Sequence, residues 1–117
     1  MIRRDELEPG IQFRIQDGAS WTLQYIQQLI KEKAASYGIS VSFRQDYICD
    51  NMLTNLLGVF KQECIVLYRT ESGPKSTGFA MLLNTEGTYL FVTLKKYALC
   101  YSPWGIIVED VFKELFT

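Results

Sequence analysis

Two periodicities of apolar and polar positions divide the chain. Ile11, Phe13 and Ile15 alternate with Gln12, Arg14 and Gln16, and Ile39, Val41 and Phe43 alternate with Ser40, Ser42 and Arg44. Successive side chains on a strand point to opposite faces, so both stretches predict strands with one buried face. Cys64 to Arg69, CIVLYR, is apolar almost throughout and predicts a strand inside the sheet. Helical spacing marks two further stretches. Leu23, Ile26, Ile30, Ala34 and Tyr37, with Tyr25 and Leu29 widening the stripe, predict one long helix over 20–37. Ser20 is its expected N-cap and Gly38 its C-terminal stop. Ile107, Val108, Val111, Phe112 and Leu115 predict a C-terminal helix over 106–116, after a break at Ser102-Pro103. Between them, Asp50 is the expected cap of a short middle helix over 51–57, closed by Gly58.

The stretch from Gly78 to Tyr101 organises the rest. Apolar runs flank Asn84-Thr85-Glu86-Gly87, and a glycine in such a loop supplies the positive φ of a short hairpin. A loop of Thr85-Glu86-Gly87 pairs Asn84 with Thr88, Leu83 with Tyr89, Leu82 with Leu90 and Met81 with Phe91. That register sorts the side chains into an aliphatic face (Ala80, Leu82, Leu90, Val92, Leu94) and a bulkier face (Phe79, Met81, Leu83, Tyr89, Phe91). The long helix is expected on the aliphatic face. A further turn near Lys95-Lys96 and a last strand over 97–101 complete the sheet. Met1 to Gly10 reads as a charged lead-in, and Glu71 to Thr77 as a surface loop. The whole is expected to be one α+β domain over 1–117, with a mainly antiparallel sheet of five to six strands.

Composition narrows the chemistry more than it names it. With 48% hydrophobic residues in 117, the chain can bury a real core. Its net charge of −1 speaks against nucleic acid or an anionic membrane held by general electrostatics. No apolar run approaches the length that spans a bilayer, and MIRRDELEPG is followed by no apolar leader. Cys49, Cys64 and Cys100 are odd in number and widely spaced, which fits free thiols in a reducing, cytoplasmic setting.

There is no histidine, which removes Ser-His and Cys-His pairs and the commonest zinc and iron ligand together. Three scattered cysteines offer no metal spacing, and Asp46 with Asp50 match no calcium loop. The Lys75-Ser76-Thr77 run lacks the glycine before lysine and the following helix of a phosphate loop. Cys49 precedes an expected helix start, but Asp46 and Asp50 beside it disfavour a thiolate. Arg44, Arg69, Lys95 and Lys96 beside Tyr68, Tyr97 and Tyr101 read as ordinary strand residues.

These readings lead to a non-catalytic cytoplasmic domain without cofactor or metal, acting through protein contacts. The expected contact is self-association, as a homodimer, through the sheet or its edge. The expected interface is Phe79, Met81, Leu83, Tyr89, Phe91 and Trp104, because a bulky apolar face needs cover; the same face reads equally as core, with the sheet curled around it. The alternative is a small apolar ligand in a cavity between curved sheet and helix, lined by Trp21, Phe79, Tyr89 and Phe91.

Overall fold

A computed structural model describes residues 1–50, 61–98 and 102–117. The first alternating run forms a strand, β2 (Ile11–Ile15), which ends where Asp17 takes a left-handed turn conformation, φ 61°. The long helix, α1, is Leu23–Ser36. Thr22, not Ser20, caps it: the Thr22 hydroxyl accepts the Tyr25 N–H at 3.1 Å, while Ser20 belongs to a single 3-10 turn before it. Gly38, at φ 78°, stops the helix as expected. Of the apolar stripe, Ile26, Ile30 and Ala34 are buried, whereas Leu23, Tyr25 and Tyr37 remain exposed. The C-terminal helix, α2 (Pro103–Phe116), begins three residues before its expected start. Ser102-Pro103 opens it: the Ser102 hydroxyl accepts from the Gly105 N–H, and proline fills a first-turn position that has no hydrogen bond to lose.

The strands β3 (Val41–Cys49), β4 (Gln62–Arg69), β5 (Phe79–Glu86) and β6 (Tyr89–Lys96) supply the rest of the sheet, with a two-residue strand β1 (Ile2–Arg3). Their spatial order is β1-β3-β4-β5-β6-β2. The sheet is mixed, not mainly antiparallel as expected, because β1 runs parallel to β3, with Ile2 opposite Ile48 and Arg3 opposite Cys49. Two residues carry no readable alternation, so the lead-in concealed a strand. The described residues contain two α-helices where three were expected; the middle helix over 51–57 lies outside the described residues. The last strand expected over 97–101 falls partly there too. Within the described part, β6 runs straight through Lys95-Lys96, and Tyr97 makes a single bridge to Leu7.

The hairpin register differs from expectation by three residues. Glu86 pairs with Tyr89 across a two-residue loop, and Leu83 faces Val92 where Tyr89 was expected. Gly87 opens the loop instead of closing it, with φ 60°, the conformation that the first residue of such a tight hairpin loop demands. An odd shift exchanges the faces of one strand relative to the other. Phe79, Met81 and Leu83 therefore share a face with Leu90, Val92 and Leu94, and Ala80 and Leu82 share the opposite face with Tyr89 and Phe91.

Both helices pack on the first of these faces. Ile26, Ile30 and Ala34 of α1 and Val108, Val111, Phe112 and Phe116 of α2 join Phe13, Val41, Leu67, Phe79, Met81, Leu90, Val92 and Leu94 in the main core. The other face holds a smaller cluster of Ile2, Ile48, Cys64, Val66 and Ala80, with Leu7 and Leu82 against it. Ile2 lies at the β3 edge, yet Leu7 bridges Tyr97 beyond the end of β6. In a flat sheet those columns stand about 24 Å apart at normal strand spacing. Five residues reach at most about 17 Å. The sheet therefore curls, and the N-terminal segment crosses its concave face as a strap whose apolar residues fill the second cluster.

Candidate functional site

The side of β2 away from β6 has no partner among the described residues. Such an edge presents a row of backbone donors and acceptors ready to pair with another strand. β2 reaches the edge through a one-residue offset: Leu7 pairs with Tyr97 and Ile11 with Leu94, so one extra residue lies between the two ladders. Ile11 is 37% exposed, and Gln12 and Arg14 are exposed as well. Phe13 anchors the strand from below, its ring 6.3 Å from that of Phe112 and 6.1 Å from that of Phe116.

Beside this edge, on the face without helices, Arg14 lies over the Tyr89 ring at 5.1 Å. The Tyr89 and Phe91 rings are 6.5 Å apart. Gln12 donates to the Thr93 hydroxyl at 3.5 Å. Tyr89 and Phe91 are half-buried, so the edge and this small aromatic patch form one continuous accessible surface.

The six residues expected to form one interface are divided by the register. Phe79 and Met81 are buried in the main core, Leu83 packs against it, and Trp104 joins it with its ring 6.0 Å from Phe79. Tyr89 and Phe91 lie on the opposite face. The residues expected to line a cavity, Trp21, Phe79, Tyr89 and Phe91, are divided in the same way, with Tyr89 and Phe91 on the face away from Phe79. Trp21 packs edge-on against Tyr25 at 5.2 Å and against the main core, on the side of the sheet that holds Phe79. Sequence reasoning missed Ile11, Gln12 and Arg14 as accessible edge residues; the signal available was the alternation itself, which does not say whether a strand has one neighbour or two.

Cavities with apolar walls open elsewhere. β4 and β5 pair over only three residues, Ile65 to Leu67 against Met81 to Phe79, and then part. A cavity of about 240 Å³ opens at the fork, lined by Leu23, Ile65, Met81 and Leu83 with Gln45, Glu63 and Cys64. A wider cleft of about 470 Å³ lies between the end of α1 and the start of α2, with Ile39, Trp104, Ile107 and Arg69 in its wall.

Arg44 and Asp46, on the strap-covered face, form a connected polar cluster. Asp46 meets the amino terminus at 3.0 Å and Arg44 at 3.3 Å, and Arg44 also donates to the Thr77 hydroxyl and the Ser76 carbonyl. Burial raises the Asp46 carboxyl, but the Tyr47 N–H, the amino terminus and Arg44 outweigh it and hold the group below its ordinary value. A folded value below the unfolded one stabilises the fold above the ordinary carboxylate range, near about pH 4, and that contribution is lost as pH falls through the folded value. Asp46→Asn is expected to lower stability by about 1 kcal/mol at neutral pH. Urea unfolding of both proteins at neutral and acid pH checks this: the difference should shrink on the acid side, and an equal difference at both would refute the assignment.

Cys49 and Cys64 are free and buried, and burial pushes the Cys64 thiol up to about 11, which disfavours its thiolate at neutral pH. Among the described residues, no three His, Cys, Asp or Glu side chains gather as metal ligands, and no helix is long and apolar enough to cross a membrane. Comparison of the chain with protein-family models, curated proteins and solved structures finds no match.

Proposed function

We propose that this protein is a non-catalytic cytoplasmic domain that acts through protein contacts and associates with itself through the sheet. The observation that carries the reading is the β2 edge, whose backbone has one neighbour among the described residues and whose side chains Ile11, Gln12 and Arg14 are exposed. Unpaired edges of this kind are usually shortened, charged or covered, because otherwise they pair. Here the edge carries one charge in five residues and two exposed or half-exposed isoleucines, Ile11 and Ile15. The free thiols of Cys49 and Cys64 support the cytoplasmic setting.

The test is mass by light scattering across a wide concentration range, on the wild type and on Ile11→Lys. Lysine on an edge strand opposes pairing while its long stem keeps apolar contact. The expected result is a concentration-dependent dimer that Ile11→Lys shifts to monomer with little change in thermal stability, since Ile11 is already 37% exposed. A wild type that stays monomeric throughout overturns self-association. It would favour the second reading, a small apolar ligand, which the fork cavity between β4 and β5 supports by its lining of Leu23, Ile65, Met81 and Leu83.

A further inference from the structure

We infer that the occupant of the β2 edge is β2 of a second copy, antiparallel and centred on Phe13; this rests on the self-association reading and adds its geometry. A two-fold axis perpendicular to the sheet makes edge strands antiparallel and gives each residue a reciprocal partner. Centring on Phe13 uses the whole strand, Ile11 to Ile15, and places Ile11 against Ile15 of the second copy, and Gln12 against Arg14 of the second copy. Side chains opposite each other in an antiparallel pair share a face. Ile11, Phe13 and Ile15 therefore meet on the helix-covered face, and Gln12 and Arg14 meet on the helix-free one.

Alternative centres fit worse. Centring on Arg14 sets two guanidinium groups directly opposite, a destabilising like-charge pair. Centring on Gln12 leaves Arg14 facing Gly10 and puts Ile15 beyond the partner strand. Only the Phe13 centre gives every residue of the strand a compatible partner. It also leaves Arg14 where it already lies, over the Tyr89 ring at 5.1 Å, and keeps Gln12 beside Thr93. The helix layers of both copies then lie on the same side of one continuous sheet. Phe13, held by Phe112 and Phe116, marks the axis in each copy.

The experiment exchanges charge across the expected pair and measures dimer dissociation by sedimentation. Gln12 and Arg14 are exposed, so none of these variants disturbs the core. Gln12→Arg brings a new guanidinium against Arg14 of the second copy, twice by symmetry, and is expected to weaken the dimer about tenfold. Adding Arg14→Gln to the same chain restores the alternation of charged and neutral partners, and the double variant should regain wild-type affinity. Gln12→Glu makes two opposite-charge pairs and should tighten the dimer several-fold, with the gain diminishing at high salt. Thermal unfolding of each variant as a monomer, expected to fall only by the small loss of the exposed Arg14–Tyr89 and Gln12–Thr93 contacts, separates association from folding. A wild-type dimer that all three variants leave unchanged overturns the Phe13-centred pairing while self-association stands. A wild type that is monomeric at every concentration overturns both. A double variant as weak as Gln12→Arg overturns the register, since the pairing predicts rescue.

Discussion

Phe112→Ala is expected to reduce the free energy of unfolding by about 3–5 kcal/mol. Phe112 is fully buried, and its ring packs against Phe13 of β2 and, at 5.4 Å, against Phe116 of its own helix. Truncation removes the transfer energy of the ring and leaves a cavity between α2 and the edge strand, where close-packed neighbours relax only partly. A domain of this size holds about 5–15 kcal/mol in total, so the loss is a large share. Urea denaturation followed by circular dichroism measures it. Phe112→Leu, which keeps most of the volume, should cost less than about 1.5 kcal/mol. If alanine costs no more than leucine, α2 does not pack on β2 as described. The consequence reaches the proposed interface, because β2 is held by β6 on one side and from below by these rings. The leucine variant should still associate, whereas the alanine variant should lose association with the order of its edge strand.

Gly78→Ala is expected to cost about 2–3 kcal/mol, from crowding in a packed interior. A Cβ at this position would stand 2.5 Å from Cζ3 and 2.9 Å from Cη2 of Trp104, and 3.0 Å from the Leu67 carbonyl oxygen. The Leu67 side cannot yield, since that carbonyl accepts the Gly78 N–H at 3.0 Å. The indole must move instead. It is 5% exposed, packs against Phe79, and donates its Nε1–H to the Ser40 carbonyl at 3.3 Å, so displacement sacrifices packing and a hydrogen bond together. A shift in tryptophan fluorescence should accompany the loss of stability. The rescue is specific: in a Trp104→Phe background the smaller ring gives room, and Gly78→Ala should then cost much less, a coupling that a double-mutant cycle reads directly. Equal costs in both backgrounds would mean that the indole is not the obstacle.

The helix stripe of Ile26, Ile30 and Ala34, the alternation of Ile11, Phe13 and Ile15, and the unbroken apolar run of β4 all appear in the structure, because each depends on a local period. Ser102-Pro103 reads as a break and is a start, since the same pair can end a strand and open a helix, and only the following residues' packing distinguishes the two. β3 runs on to Cys49, past the alternation visible at Ile39 to Arg44. The partners that order its further half are residues of β4 and β1, distant in the chain.

The candidate site was legible only as a type of surface. An apolar sheet with an edge follows from strand count and composition; which strand lies at the edge does not. Alternation determined by itself that β2 has a buried and an open face and that α1 and α2 each bury one stripe, and composition that histidine-based chemistry is absent. The tertiary structure alone decided that β2 is outermost, that β1 lies parallel beside β3, and that Phe79 and Phe91 point to opposite faces. The physical reason is the two-residue period of a strand. It records which residues share a face of their own strand, but a one-residue difference in pairing reverses the match to the neighbouring strand, and that choice is made by loop geometry and by contacts between residues far apart in sequence.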